Sequence, residues 1–218
     1  MLTIVIPALN AGATLAACLA ALGGGEEILV VDGGSTDDSA DIAERAGARV
    51  IEAKRGRGTQ LRAGGEAARG DWLLFLHADT RLATGWREAI AAHVANTPEA
   101  AGHFDLRLDD DAWQARVIEH GVAMRVRLFG LPYGDQGLLI SRRLYDEVGG
   151  FRPLALMEDV DLVRRIGRHR LRRLKAVALT SAVRWRRDGW LRRSSRNLAC
   201  LTLYFAGVSQ ARLTRFYR

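Results

Sequence analysis

Residues 72–76 are five consecutive apolar residues that run directly into the polar segment His77-Ala78-Asp79-Thr80. An apolar run of this length predicts a strand buried on both faces, as in a parallel sheet covered by helices. The polar segment then lies at the carboxyl end of the strand, where open α/β sheets bind ligands. Asp79 could hold Mg²⁺ or Mn²⁺ there, although an Asp-Thr pair is also an ordinary way to begin a loop.

The first 52 residues alternate between short β-branched runs and helical patterns. Residues 2–6, 27–31 and 49–52 are predicted strands, and residues 13–22 and 39–46 are predicted helices between them. A β-α-β-α-β order predicts a parallel sheet with right-handed crossovers. The chain is therefore expected to be an α/β protein, and its 218 residues suffice for one domain with a sizeable core.

The remaining elements follow the same reasoning. Residues 54–58 form a basic, glycine-rich loop that suits phosphate. That loop is not a P-loop, and the turn after residue 31 does not give the dinucleotide-binding GxGxxG pattern.

Further helices are predicted at residues 59–68, 85–96, 112–129, 142–148, 157–166 and 191–207, and further strands at residues 102–109, 138–140 and 177–184.

Several features exclude other kinds of site. The acidic triplet Asp109-Asp110-Asp111 is interpreted as a turn that caps the following helix, not as a metal site. Cys18 and Cys200 lie among apolar neighbours without metal-ligand spacing, which predicts buried thiols in a reducing compartment. Neither a secretory signal nor a membrane span is predicted, so a cytoplasmic location is expected.

Charge is distributed unevenly along the chain. Residues 1–141 carry 13 basic and 19 acidic side chains, whereas residues 142–218 carry 19 basic and 6 acidic ones. Such asymmetry indicates that the C-terminal third faces an anionic partner, and nucleic acid, an acidic lipid surface or a phosphorylated substrate would each qualify. A solvated basic face is the simpler alternative.

Four segments in order resemble motifs of the family 2 glycosyltransferases, which have the GT-A fold. They are residues 3–10 (TIVIPALN), residues 30–37 (VVDGGSTD), residues 64–79, and residues 149–151 (GGF) followed by Glu158-Asp159. Residues 133–137 (YGDQG) and Arg184-Trp185 also resemble a bacterial branch of the family linked to arsenosugar biosynthesis. The resemblance extends over nearly the whole chain.

The resemblance implies a GT-A (Rossmann-like), mostly parallel central sheet flanked by helices. Residues 1–185 would form the catalytic domain, with residues 1–100 as the nucleotide-sugar half and residues 101–185 as the acceptor half. Residues 186–218 would be a basic, amphipathic helical tail.

Two positions depart from the family pattern. Gly33 replaces the second acid of the usual Asp-Asp-Gly-Ser block, so Asp32 is the only acid there. His77 replaces the first acid of the DXD motif, while Asp79 keeps the last one. Asp79 is therefore the expected metal ligand, and His77 acts through water or not at all.

The implied reaction is metal-assisted transfer of a sugar, with inversion, from a nucleotide-diphosphate sugar to an acceptor hydroxyl. Asp159 matches the base of the family, with Glu158 as its neighbour. Mg²⁺ or Mn²⁺ on Asp79 would neutralise the leaving diphosphate. The implied donor-site residues are Pro7, Ala8, Asn10, Asp32, Gly34, Arg57, Arg62, His77, Ala78, Asp79, Asp135 and Gln136.

Some interpretations stay open at this point. Three roles stay open for Trp185 and Trp190: stacking on a sugar, packing against lipid, and packing in the core. The last predicted helix lies on an anionic membrane, which would suit a lipid-linked acceptor at the inner face of the membrane, or it packs on the catalytic domain or on a second subunit. Nucleic acid is not an expected partner. The alternative functions are a nucleotidyltransferase on a similar fold and a non-catalytic binder of anionic polymers or membranes.

Overall fold

A computed structural model describes residues 1–217 as helices packed around one sheet. The strands are β1 (Leu2–Ala8), β2 (Glu27–Asp32), β3 (Arg49–Glu52), β4 (Trp72–Phe75), β5 (Thr80–Leu82), β6 (Ala101–Asp109), β7 (Leu138–Ser141) and β8 (Leu171–Ser181). The helices are α1 (Gly12–Leu22), α2 (Ser39–Arg45), α3 (Arg57–Ala67), α4 (Trp86–Asn96), α5 (Trp113–Phe129), α6 (Arg142–Glu147), α7 (Glu158–Ile166), α8 (Val183–Asp188), α9 (Trp190–Phe205) and α10 (Gln210–Tyr217). Two short 3₁₀ turns lie at Gly134–Gln136 and Arg168–Arg170.

The eight strands are ordered β3-β2-β1-β4-β7-β6-β8-β5. The first four are parallel, β7 is antiparallel to both of its neighbours, β6 is parallel to β8, and β5 closes the edge antiparallel to β8. The predicted α/β fold with a mostly parallel central sheet flanked by helices is confirmed. The parallel strands bring the carboxyl ends of β1, β2 and β4 to one edge, which positions the candidate site.

The sheet is buried on both faces, as the apolar run at residues 72–76 predicts. Leu74 packs on the side covered by α1, α2 and α4, whereas Leu73 packs on the side covered by α3, α6 and α7. Both side chains are fully buried. Burying one leucine in this way stabilises the fold by about 1.5–3 kcal/mol, so the two-sided run fixes this strand in the centre of the core.

The C-terminal half differs from the sequence prediction in its polar strands. β5 has only three residues, too few for a detectable pattern. β8 begins at residue 171, six residues earlier than predicted, because its basic residues lie on a wet face where Arg173 pairs with Asp105 of β6 (2.6 Å). Residues 183 and 184 begin α8 and do not belong to the strand.

The predicted final helix is two helices, α9 and α10. Gly207 lies between them with φ of 77°, a left-handed conformation that glycine adopts without strain. α10 is anchored because Leu213 is fully buried and the Gln210 side chain accepts a hydrogen bond from the Leu156 N–H (3.2 Å).

Helix α9 packs on the preceding part of the chain, in agreement with one of the interpretations of its sequence. An apolar cluster joins them: Leu131, Val160 and Val163, with Leu201 and Tyr204 of α9. Across residues 1–217, every helix is too short or too polar to cross a bilayer. α8 spans the expected boundary at residue 185, and the division into a catalytic domain and a tail stays a prediction.

Both cysteines are buried, as predicted. Burial raises the pKa of the Cys18 thiol to about 12, so it is protonated and unreactive at neutral pH. Asp110 of the acidic triplet accepts a hydrogen bond from the Ala112 N–H (2.8 Å) and pairs with Arg186. That pairing agrees with a structural turn at the triplet, but the predicted cap is wrong: α5 has Ala112 as its N-cap, and no side chain accepts a hydrogen bond there.

Candidate functional site

The ends of β1 and β2 form the first part of the site. Ala8 is paired with Asp32 at the last position of the two strands. Asp32 Oδ2 accepts hydrogen bonds from the Gly34 and Ser35 N–H groups (3.0 and 2.9 Å), and its Oδ1 accepts one from Ser35 Oγ (2.5 Å). The carboxylate therefore shapes the loop after β2 and keeps limited capacity to bind a ligand.

Asn10 joins the loop after β1 to the loop after β2. Its backbone φ is 50°, and its side-chain Oδ1 accepts a hydrogen bond from the Thr36 N–H (2.8 Å). Its own N–H donates to Ser35 Oγ (2.9 Å). Together with Pro7, these groups make a preformed edge at the ends of the first two strands.

Gln60 is a structural residue of this edge that the sequence did not reveal. Its buried side-chain Nε2 donates to the carbonyl oxygens of Ala8 (2.7 Å) and Val31 (2.8 Å). A Cβ atom on Gly33 would lie 3.0 Å from the Gln60 amide. The glycine at the position of the usual second acid therefore has a packing reason, since a larger side chain there would displace Gln60.

An open cleft of about 810 Å³ contains most of the predicted polar residues, whereas none of the residues of this edge (Pro7, Ala8, Asn10, Asp32 and Gly34) lines it. Five carboxylates line it, and we call four of them the acidic cluster: Asp79, Asp135, Glu158 and Asp159. They come from the segment after β4, the 3₁₀ turn before β7 and the first turn of α7. Arg57, from the start of α3, and His77 line the same cleft.

Asp159 is held by backbone donors. The Gly134 N–H donates to its Oδ2 (2.8 Å), and the Val160 N–H donates to its Oδ1 (2.8 Å). Met157, just before α7, has a left-handed backbone (φ 61°). Strain of this kind collects at functional sites, and here it sets the direction in which α7 presents its first two side chains.

Glu158 is almost completely buried, with 2% of its surface exposed. Its Oε1 lies 3.6 Å from a guanidinium nitrogen of Arg57 and has no hydrogen-bond partner within residues 1–217. Burial raises the pKa of this carboxyl to about 7, although Arg57 opposes the rise. At neutral pH Glu158 is thus divided between its acid and carboxylate forms.

Asp135 behaves similarly. Burial raises its pKa to about 6, Arg125 opposes the rise, and the nearby charges of Asp159 and Asp79 add to it. In the described part of the chain, its Oδ1 is buried without a hydrogen-bond partner. Carboxylates that share a site in this way resist full ionisation until a cation joins them.

His77 is neutral in this environment. Burial lowers its pKa well below the ordinary value, and the positive charges of Arg57 and Arg184 lower it further. Its ring packs against Gly134, where a Cβ atom would lie 2.4 Å from His77 Nε2. The imidazole at the first DXD position thus packs closely on the turn that holds Asp159.

The cleft fits a divalent cation only with help from a ligand. Within residues 1–217, no three His, Cys, Asp or Glu side chains are close enough together to form a metal site by themselves. Mg²⁺ and Mn²⁺ commonly take one or two protein carboxylates and complete their shell with phosphate oxygens and water. Asp79, beside the unpaired oxygen of Asp135, provides such a partial donor set.

Some predicted site residues lie outside the cleft. Arg62 is exposed on α3 and pairs with Glu66 (2.8 Å). Gln136 is buried, and its Nε2 donates to the carbonyl oxygen of Phe104 (3.0 Å). Ala78 is buried between its two polar neighbours.

Several arginines that were not predicted as site residues also line the cleft, and we call them the arginine cluster. They are Arg184 and Arg187 of α8, with Arg192, Arg193 and Arg196 of α9. The charge excess of the C-terminal third was the signal for them, but only the packing of the tail places them beside the acidic cluster. Trp185 and Trp190 stack on each other (6.0 Å between ring centroids) and pack on α5 and β6, and Trp185 also lines the cleft.

Comparisons with known proteins agree with this geometry. Residues 3–157 match the family model described as Glycosyl transferase family 2. A PGL/p-HBAD biosynthesis glycosyltransferase of Mycobacterium tuberculosis is 41% identical over 93 residues, which cover 38% of this chain and 36% of that protein. An uncharacterized glycosyltransferase of the same species is 42% identical over 84 residues, 38% of each chain. The chain thus spans little more than a third of the curated relatives it matches.

Two solved structures show the same fold. Glucosyl-3-phosphoglycerate synthase of M. tuberculosis, in complex with Mg²⁺ and uridine diphosphate, has a TM-score of 0.60 at 21% identity, covering 83% of this chain and 69% of that one. S. aureus TarS 1-349 in complex with UDP has a TM-score of 0.64 at 15% identity, covering 99% and 69%. At these identities the likeness concerns the fold.

Proposed function

Because the chain belongs to glycosyl transferase family 2, we propose that it transfers a sugar, with inversion, from a nucleotide-diphosphate sugar to an acceptor hydroxyl. The observation that carries the proposal is the meeting of Asp79 and Asp159 in one cleft. They lie 80 positions apart in the sequence, one after a parallel strand and the other at the start of a helix. Direct displacement needs such a pair, one carboxylate toward the leaving group and one toward the acceptor.

Asp159 is the proposed base. The Gly134 and Val160 N–H groups orient its carboxylate and leave each oxygen with a free lone pair. As the acceptor oxygen bonds to the anomeric carbon, its proton passes to Asp159. The bond from that carbon to the diphosphate breaks, and the electron pair leaves with the nucleotide.

Asp79 is the residue proposed to hold a divalent cation. A bound Mg²⁺ or Mn²⁺ would neutralise negative charge on the leaving diphosphate. Arg57 adds a positive charge from the start of α3, and Glu158 lies beside that guanidinium. We therefore assign Glu158 to positioning Arg57, while proton transfer belongs to Asp159.

The nucleoside would lie along the edge formed by Pro7, Ala8, Asn10, Asp32 and Gly34. Hydrogen bonds within the two loops already fix this edge, which lowers the cost of ordering it around a ligand. Two solved structures of the same fold contain UDP, so uridine is the first base to test.

An Asp159→Asn variant separates binding from chemistry. Release of UDP from UDP-glucose, with water in place of the acceptor, should fall at least about 100-fold, since a positioned base contributes about that much. UDP with Mn²⁺ should still bind, because the amide keeps the hydrogen bond with Gly134. Unchanged UDP release in Asp159→Asn would refute the assignment of the base.

The alternative functions predict different results. A nucleotidyltransferase would release pyrophosphate from a nucleoside triphosphate. A non-catalytic binder of anionic polymers would bind equally well after Asp79→Ala or Asp159→Ala. A lipid-linked acceptor, contact with the membrane and a homodimer stay predictions from the sequence.

A further inference from the structure

The cleft beside Asp159 has two groups of opposite charge. The four carboxylates of the acidic cluster come from the segment after β4, the 3₁₀ turn and α7, and the five guanidiniums of the arginine cluster come from α8 and α9. A diphosphate and a cation account for the acidic cluster and Arg57. The arginine cluster has no role in that arrangement.

A single carboxylate is paired with the arginine cluster. Asp188 lies 2.8 Å from Arg187, 2.8 Å from Arg193 and 2.9 Å from Arg196. Within residues 1–217, Arg184 and Arg192 have no carboxylate at ion-pair distance. The cluster therefore keeps a formal excess of four positive charges.

Two members of the cluster, Arg193 and Arg196, are built into the fold, whereas Arg184, Arg187 and Arg192 are exposed. Arg193 has only 12% of its side chain exposed and lies over the ring of Trp185, with 5.4 Å from its Cζ to the ring centroid. Buried atoms without a hydrogen-bond partner in the described residues include Nε of Arg193, Nε of Arg196 and Oδ1 of Asn197. Burying polar groups without partners is costly, which distinguishes this part of the cluster from an ordinary solvated basic face.

We infer that the arginine cluster binds a phosphate group on the acceptor, so that the acceptor places its hydroxyl at Asp159 and its phosphate against α8 and α9. This inference rests on the proposed function. The acidic cluster repels such an anion and the arginine cluster attracts it, so the charges fix the direction in which the acceptor enters. A soluble phosphate ester and a phospholipid headgroup that carries a hydroxyl share this chemistry.

The experiment measures binding to the protein saturated with UDP and Mn²⁺. The soluble probe is glycerol 3-phosphate, with glycerol as its neutral counterpart, measured by calorimetry. The lipid probe is phosphatidylinositol in phosphatidylcholine vesicles, with pure phosphatidylcholine vesicles as the counterpart, measured by co-sedimentation. We expect at least one phosphate probe to bind and both neutral probes to fail.

Arg184→Gln and Arg192→Gln are the informative variants, because neither removes an ion pair seen in the fold. Each should weaken binding of the phosphate probe about tenfold, the effect of one hydrogen bond to a charged group, and leave the affinity for UDP unchanged. Arg212→Gln is the matched control: Arg212 is exposed on α10 and does not line the cleft, so removing the same charge there should change neither affinity.

Three results would overturn the inference. The phosphate probes would bind no better than their neutral counterparts, the two variants would weaken UDP as strongly as phosphate, or Arg212→Gln would act as strongly as the cleft variants. The second result would assign the cluster to the donor diphosphate, and the third to general electrostatic attraction. A wild-type protein that fails to bind UDP contradicts the proposed function instead, so the two failures are distinguishable.

Discussion

Replacing Glu158 with glutamine should stabilise the folded protein above neutral pH and change it little in acid. Glu158 is buried beside Arg57, and its pKa rises from 4.5 to about 7 on folding. A carboxyl whose pKa is raised in the folded state contributes stability that is complete below pH 4.5 and is lost as the pH rises through about 7. Glutamine does not ionise, so the variant keeps that stability at every pH.

The size of the effect follows from the same pKa values. A change from 4.5 to about 7 corresponds to about 3 kcal/mol in the free energy of unfolding. That figure already includes the attraction of Arg57, which opposes the rise. For a chain of this length, about 3 kcal/mol corresponds to roughly 6–12 °C in Tm.

The assay is thermal and urea unfolding of wild type and Glu158→Gln in buffers that cover the range between the two pKa values and extend above it. EDTA is present, because a cation at Asp79 would favour the carboxylate. Glu66→Gln is the control: Glu66 is an exposed carboxylate that pairs with Arg62 on the surface of α3, and its loss should shift stability by less than about 0.5 kcal/mol.

The expected difference between Glu158→Gln and wild type is close to zero near pH 4.5, grows toward pH 7 and is constant above it. A difference that does not depend on pH would refute the reasoning, because it would mean that Glu158 ionises in the folded protein as it does in water. If Glu158→Gln were less stable than wild type at high pH, the attraction between the Glu158 carboxylate and Arg57 would outweigh the cost of burying that carboxylate.

Three other substitutions test the scaffold of the site. Gly134→Ala places a methyl group 2.4 Å from Nε2 of His77, so it should cost about 1–3 kcal/mol and slow UDP release from UDP-glucose, with Tm and single-turnover rates as the measurements. Gln60→Ala removes one hydrogen bond from each of two buried carbonyl groups, of which that of Ala8 still accepts from the Gly33 N–H (2.9 Å). The loss should destabilise by roughly 1–3 kcal/mol in urea unfolding, and an unchanged midpoint would contradict the bridging role of Gln60. Asp188→Asn should lower Tm and speed proteolysis of the tail, because Asp188 pairs with three arginines. Those pairs hold the pKa of Asp188 well below its usual range, so wild type should lose the same stability only in strong acid. A variant with the Tm of wild type would contradict a stabilising role for these pairs.

The sequence predicted the centre of the sheet because apolar periodicity is strong there. Residues 72–76 and the first three strands appear where the pattern placed them. β5 and the first half of β8 were missed since their polar residues are satisfied by neighbouring strands, as in the pair of Arg173 and Asp105. Such cross-strand pairing has no signal in a single sequence.

The acidic cluster was predicted from motifs, whereas its surroundings depend on tertiary packing. The contact of His77 with Gly134 and the bridge made by Gln60 join segments more than 50 residues apart. The arginine cluster was visible only as a regional charge excess, because the turn between α8 and α9 decides which arginines enter the cleft. The roles of individual site residues and the arsenosugar branch stay predictions.

The most direct measurement of the central claim is a thermal-shift titration with UDP-, GDP-, ADP-, CDP- and dTDP-sugars, each with and without Mn²⁺, on wild type and Asp79→Asn. A ligand present at about 100 times its Kd stabilises the folded state by about 2.7 kcal/mol, which corresponds to roughly 5–10 °C in Tm. The account predicts such a shift for one nucleotide, larger with Mn²⁺ and lost in Asp79→Asn. No shift with any nucleotide-sugar, or a shift that Asp79→Asn leaves intact, would contradict a metal-assisted donor site in this cleft.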